Sequence, residues 1–140
     1  MISSIKVSSA PVQSLYVHVP FCATKCEYCA FYSEASSGEQ MNNYVEALLC
    51  EMELVAPSVK PSTIFFGGGT PSLMRPGTVA ALLNALGDYW QVSDAVEITL
   101  EANPTSVEAQ KFADFRAAGV NRVSIGVQSL SDDALRFLGR

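Results

Sequence analysis

Cys22, Cys26 and Cys29 stand in the run Cys-Ala-Thr-Lys-Cys-Glu-Tyr-Cys. Three soft thiolates on one short loop can hold an iron-sulfur cluster while leaving one iron without a protein ligand, and that iron is where chemistry can happen. Two plainer uses of the loop fit less well. A structural zinc site asks for four ligands, usually as two Cys or His pairs, and the other candidates, His18 and Cys50, are not spaced as a second pair. A disulfide inside the loop would leave one thiol over. The opening Met-Ile-Ser-Ser-Ile-Lys-Val also lacks the continuous apolar segment that directs a chain to an oxidising compartment. The cysteines are therefore expected to be reduced, in a cytoplasmic protein, with zinc as the alternative to a cluster.

Gly67-Gly68-Gly69-Thr70 is the second motif. It matches neither the dinucleotide fingerprint nor a P-loop, which needs Lys followed by Ser or Thr after its last glycine. A tight turn would explain it. The lack of three successive side chains would equally let the backbone approach a ligand and offer N–H and C=O groups to a charged amino acid moiety, the reading preferred beside a cysteine loop.

These motifs need a scaffold, and strand-like and helix-like patterns take turns along the chain. Leu15–Val19, Thr63–Phe66, Val96–Leu100 and Val123–Val127 read as four strands. Met41, Tyr44, Val45, Leu48, Leu49, Met52 and Val55 recur at helical spacing, as do Val79, Leu82, Leu83 and Leu86, then Val107, Phe112 and Phe115. Ser131, followed by Asp132 and Asp133, reads as the capped start of a fourth helix. Such alternation predicts parallel strands, hence an α/β sheet or barrel. Strand parity puts Tyr16 with His18, Glu97 with Thr99 and Glu101, and Arg122 with Ser124, Gly126 and Gln128 on a polar face. The opposite faces are apolar and suited to covering by helices. Parallel sheets normally bury both faces, so a polar one predicts a curved sheet around a polar ligand. The cysteine loop, the glycine run, Glu101-Ala-Asn-Pro and Gln128 each follow or end a strand, which places them at the carboxyl edge where α/β folds build their sites.

Composition bounds the partners. The chain has 140 residues, 49% hydrophobic and 16% charged, enough for a single core and without the bias of disorder. A net charge of -5 without a basic cluster argues against nucleic acid or an anionic membrane, and no stretch has the length of a transmembrane segment. Residues 1–13 read as a flexible tail and 14–140 as one unit.

From Leu15 to Arg140 the sequence resembles the radical S-adenosylmethionine (radical SAM) superfamily. The residues that carry the likeness are Tyr16-Val-His-Val-Pro-Phe-Cys22 through Cys29, Phe65-Phe-Gly-Gly-Gly-Thr-Pro-Ser72, Glu101-Ala-Asn-Pro104 and Ser124-Ile-Gly-Val-Gln128. Within it, the chain is similar to the branch that holds oxygen-independent coproporphyrinogen III oxidase and the heme chaperone HemW. The resemblance implies a partial parallel (β/α) barrel of radical SAM type, of which this sequence carries about the first four β/α units as the N-terminal portion of a longer core domain. It implies a 4Fe-4S cluster on Cys22, Cys26 and Cys29, with the amino and carboxylate groups of SAM on the remaining iron. Tyr28 then lies near the adenine, Tyr16, Gly68 and Glu101 match positions that hold this SAM, and Gly69, Thr70, Gln128 and Arg140 match positions that hold a second SAM in the oxidase. The implied chemistry is one-electron cleavage of SAM to methionine and a 5'-deoxyadenosyl radical, with a reductant such as flavodoxin or ferredoxin. The oxidase pattern continues with a further cysteine two residues after the third, where this chain has Ala30 and Phe31. That departure favours the chaperone-like branch, with heme as cargo, a heme-acceptor protein as partner, and a heme-binding motif expected beyond residue 140. The alternatives are the oxidase, which takes a porphyrinogen in porphyrin biosynthesis, and an inert metal-binding domain.

Other residues carry plainer expectations. Cys50 sits among helical apolar positions and is expected to be a buried structural thiol. His18 reads as a hydrogen-bonded interior histidine or a porphyrin or proton-transfer group. Glu97 and Arg122 are placed to form an interior ion pair.

Overall fold

The computed structural model describes residues 12–35, 38–87, 95–104 and 109–140. In chain order the elements are β1 (Val12–Val19), β2 (Phe21–Cys22), β3 (Glu34–Ala35), α1 (Gly38–Val55), β4 (Val59–Gly68), α2 (Pro76–Gly87), β5 (Glu97–Ala102), α3 (Ala109–Ala117), β6 (Arg122–Ile125) and α4 (Asp132–Phe137). Short 3-10 turns at Ala56–Ser58 and Pro71–Leu73 flank β4. The four long strands form one parallel sheet in the order β1-β4-β5-β6, so each successive strand adds to the same edge. This is the expected α/β architecture, the opening part of a parallel (β/α) barrel.

Period-two alternation builds the core. Val17, Val19, Ile64, Phe66, Ile98 and Leu100 project to one side, where they meet Met52 of α1, Val79, Leu82, Leu83 and Leu86 of α2, and Phe115 of α3. Each such side chain contributes about 1.5–3 kcal/mol of hydrophobic burial. In β4 the reach is longer than the run Thr63–Phe66 suggests, because the strand passes through Pro61, which has no N–H to give the ladder. The pairing with β1 is irregular at that point, jumping from Val12↔Val59 to Ser14↔Thr63.

Several expectations need correction. The strand β1 begins at Val12, two residues inside the tail expected over 1–13, because Val12 already pairs with Val59; residues 1–11 lie outside the described residues, as does Val107 of the third expected helix. The thiol of Cys50 is exposed. It stands two positions before the buried Met52, about 200° away around the helix and so on the solvent side. The apolar face of β6 is not covered: Val123 and Ile125 are 36% and 47% exposed, since no described helix packs over them. The Glu97–Arg122 ion pair forms at 3.2 Å, but both side chains are about half exposed. Thr99 lies between them, fully buried, donating to Glu97 and accepting from Arg122.

The expected helix start at Ser131 is observed. Its hydroxyl oxygen accepts from the Ala134 amide, and Asp132 and Asp133 occupy the first turn. At the other end Gly139 takes φ +67°, and the Arg140 amide returns to the Leu135 carbonyl at 2.8 Å. This turn brings the Arg140 side chain back to the sheet edge.

Candidate functional site

The site is built on the carboxyl ends of the strands. After β1 the chain pairs two residues of β2 with two of β3, and the loop between them carries Cys26 and Cys29, with Cys22 in β2 itself. A turn from the Cys29 amide to the Cys26 carbonyl, 3.1 Å, tightens the loop, and the Lys25 ammonium closes it onto the Ser33 carbonyl at 3.0 Å. The three thiols are half-buried and line one cavity of about 410 Å³. That is within the range of small-molecule sites.

The glycine run meets this loop directly. The Gly69 amide donates to Val19 and the Thr70 amide to Phe21, at 2.8 and 2.7 Å, while the Gly68 amide donates to Glu101 Oε2 at 3.2 Å. The close approach expected of three glycines is therefore made to the protein's own cysteine loop, and these three amides are engaged within the chain. A side chain on Gly69 would put its Cβ 2.5 Å from the Phe21 carbonyl oxygen, and Gly68, at φ +117°, adopts a backbone that side-chain-bearing residues avoid. The carboxylate of Glu101 ties the end of β5 to the run.

Of the sequence-derived candidates, Cys22, Cys26, Cys29, Tyr28, Gly68, Gly69, Thr70, Glu101, Gln128 and Arg140 all line the cavity. Gln128 does so with φ +67°, an uncommon conformation for a residue other than glycine, costing roughly 1–3 kcal/mol. Tyr16 does not line it. It faces the same side one pleat repeat before His18, about 7 Å further from the strand ends, and its ring stacks on Phe65 with centroids 6.1 Å apart. Its hydroxyl reaches back toward the site, 3.1 Å from His18 Nδ1. Burial, and after it the Glu101 charge, hold the Tyr16 phenol above its usual value of 10.0. His18 Nε2 lies 3.3 Å from the Tyr32 carbonyl, an acceptor only, so the ring carries its proton on Nε2 and accepts from Tyr16 on Nδ1. Both nitrogens are thus occupied by the protein, as the hydrogen-bonded reading of His18 expects, but the ring is half-buried and not interior.

Sequence reasoning passed over three contributors. Asn103 joins two of the candidates, receiving Arg140 at 3.1 Å and donating to Thr70 Oγ1 at 3.2 Å. Lys25, between two of the cysteines, donates to the Ser33 carbonyl. Ser33 is 6% exposed, lines the cavity, and its Oγ has no hydrogen-bond partner among the described residues. The signal for Asn103 was its place in Glu101-Ala-Asn-Pro104; nothing in the pattern marked Ser33.

Three cysteine sulfurs are a soft donor set of the kind an iron-sulfur cluster takes. No three His, Cys, Asp or Glu side chains among the described residues converge where one metal ion could sit. A cubane does not ask for such convergence, because each thiolate takes a different iron, and its sulfides would accept the proton that the Ser33 hydroxyl has no partner for.

Comparison with known proteins bears on this geometry. The sequence profile of the radical SAM superfamily matches residues 16–140. A zebrafish (Danio rerio) protein named radical S-adenosyl methionine domain-containing protein 1, mitochondrial, is 46% identical over 99% of this chain and 32% of its own length. The heme chaperone HemW of Escherichia coli is 46% identical over 93% of this chain and 35% of its own. Among solved structures, the radical SAM enzyme coproporphyrinogen III oxidase (HemN) of Escherichia coli matches with a TM-score of 0.82 at 30% identity, over 93% of this chain and 31% of the oxidase. The chain thus spans about a third of the length of the curated relatives it matches.

Proposed function

Because the chain belongs to the radical SAM superfamily, we propose that Cys22, Cys26 and Cys29 hold a 4Fe-4S cluster, that SAM binds beside it, and that the protein works as a HemW-like heme chaperone. The observation that carries this reading is the convergence of the three thiols with Gly68, Thr70, Glu101, Gln128 and Arg140 on one cavity. When bound, the cluster supplies one electron to the sulfonium of SAM. The chain's own residues bind and orient. Glu101 places a carboxylate where an ammonium or sulfonium is favoured, and Arg140 places a guanidinium across the same cavity, opposite signs that suit a zwitterionic amino acid moiety. Tyr28, held by Arg140 Nε at 3.0 Å, offers a ring face to the adenine. Ala30 and Phe31, in place of a further cysteine, favour the chaperone over the oxidase.

Heme is the cargo in this reading, a second protein its acceptor, and a small one-electron carrier its reductant. Reduced thiols suit either the cytoplasm or the interior of a mitochondrion, the compartment in the zebrafish relative's name; no helix among the described residues is long and apolar enough to cross a membrane. The oxidase reading draws on the likeness of fold to HemN. In the longer protein that the resemblance implies, heme titration followed by absorbance, together with anaerobic incubation with SAM, reductant and coproporphyrinogen, separates the two. Saturable heme binding without vinyl product is expected; vinyl product would establish the oxidase, and neither result would leave a metal-binding domain.

A further inference from the structure

A string of side-chain hydrogen bonds runs from Arg140 to a cysteine, and its direction is fixed by chemistry. A guanidinium has donors and no acceptor. Its contact with Asn103 at 3.1 Å therefore must be to the amide oxygen, Oδ1, and this turns the Asn103 NH2 toward Thr70. Asn103 Nδ2 donates to Thr70 Oγ1 at 3.2 Å. With an N–H aimed at its oxygen, Thr70 has its own proton free to point elsewhere, and Cys22 Sγ lies 3.7 Å away on that side. Thr70 is 5% exposed, so water does not compete well for the proton. Arg140 is itself steadied by Tyr28 and by the turn at Gly139.

We propose that Asn103 is a positioning residue which, oriented by Arg140, directs the hydroxyl proton of Thr70 onto the sulfur of Cys22 and so makes the cluster easier to reduce. The inference rests on the cluster reading above. A thiolate sulfur bound to iron still accepts a hydrogen bond, and a donor there stabilises the extra electron of the reduced cluster, which raises its potential. Thr70 and Arg140 thereby act within the chain on Cys22, a use distinct from holding a second SAM. The polarity of the string matters as much as its presence: if the middle group accepted from Thr70 instead of donating, the proton would leave the sulfur with little change in shape.

That reversal can be made. Asn103→Asp keeps the size and the bond to Arg140 but offers Thr70 only acceptors. Thr70→Val removes the donor at constant shape, and Thr70→Ser keeps it. The measurement is a dithionite titration of the reconstituted chain, one electron entering the cluster, followed by electron paramagnetic resonance. Iron content and circular dichroism report whether each variant holds its cluster and fold. Asn103→Asp and Thr70→Val are each expected to lower the equilibrium constant for reduction about tenfold, which is about 59 mV for one electron. Thr70→Ser should stay near the parent, and the Asp/Val double variant should fall no further than Thr70→Val alone. Should Thr70→Val lose its fold, Asn103→Ala takes its place, with the same sign expected. Unchanged potentials in variants that keep their cluster would overturn this inference alone. Additive losses in the double variant would do the same, assigning the effect of Asp to its charge and not to Thr70. A parent chain that binds no cluster would overturn the functional reading and this inference with it.

Discussion

Strands β5 and β6 lie side by side, pair residue for residue, and carry the same alternation of apolar and polar positions, yet they live in different environments. Leu100 is fully buried, while Val123, its partner across the ladder, is 36% exposed. Helices α2 and α3 supply the cover for β5 and nothing described supplies it for β6. Alternation states which way a side chain points; whether anything waits there depends on a neighbour in space. The site is less demanding, because it needs only strand ends and the residues next to them, and those described from Cys22 to Gln128 line one cavity.

The contrast sets an order of effects. Phe66→Ala, on the covered side, should cost about 3–5 kcal/mol in chemical denaturation, whereas Ile125→Ala should cost less than about 1 kcal/mol. Equal costs would mean that β6 is covered in solution, and the comparison would fail. Next in size is a glycine pair. Gly69→Ala meets the Phe21 backbone and should lose about 1–3 kcal/mol along with iron retention, while Gly77→Ala, with open space around it, should gain up to about 1 kcal/mol. A Gly69→Ala chain that reconstitutes normally would show that the tight junction of the two loops is unnecessary.

Exposure of Val123, Ile125 and Val127 at alternate positions along and just after β6, with Leu130 and Phe137 exposed as well, predicts self-association, because uncovered apolar surface of this kind drives contact between copies. Light scattering should find the parent chain associating with concentration and Ile125→Lys/Phe137→Ser less so; a monodisperse parent would contradict this. The smallest effect is one of pH. Burial, then the Glu101 charge, raises the Tyr16 phenol above 10.0 in the folded chain. Above pH 10 the unfolded chain therefore loses this proton first, and its contribution to stability is intact below 10 and declines as pH rises through the folded value. Tyr16→Phe should flatten that alkaline decline in urea-melt midpoints taken from pH 9 to 11; an unaltered slope would remove Tyr16 as its source.

Much of this was legible in the sequence. Parity gave the polar row that includes Tyr16, Thr99 and Arg122, and the position of each motif after a strand gave one shared mouth. What escaped was set by neighbours remote in sequence. Cys50 is the exception, since its angle of about 200° from Met52 around the helix is local and was already there to read. The glycine amides could be foreseen as free or engaged only once Val19 and Phe21 were known to face them. Asn103 gained its role from Arg140, 37 positions away, through a turn at Gly139 that no local pattern connects to β5.

The proposed function stands or falls on whether the three cysteines and the strand-end residues form one cluster and SAM site. Anaerobic iron-sulfur reconstitution followed by electron paramagnetic resonance of the reduced chain, with and without SAM, tests it most directly. A cubane signal that SAM perturbs and that Cys22→Ala abolishes is expected. Stoichiometric zinc with no cubane signal would contradict it.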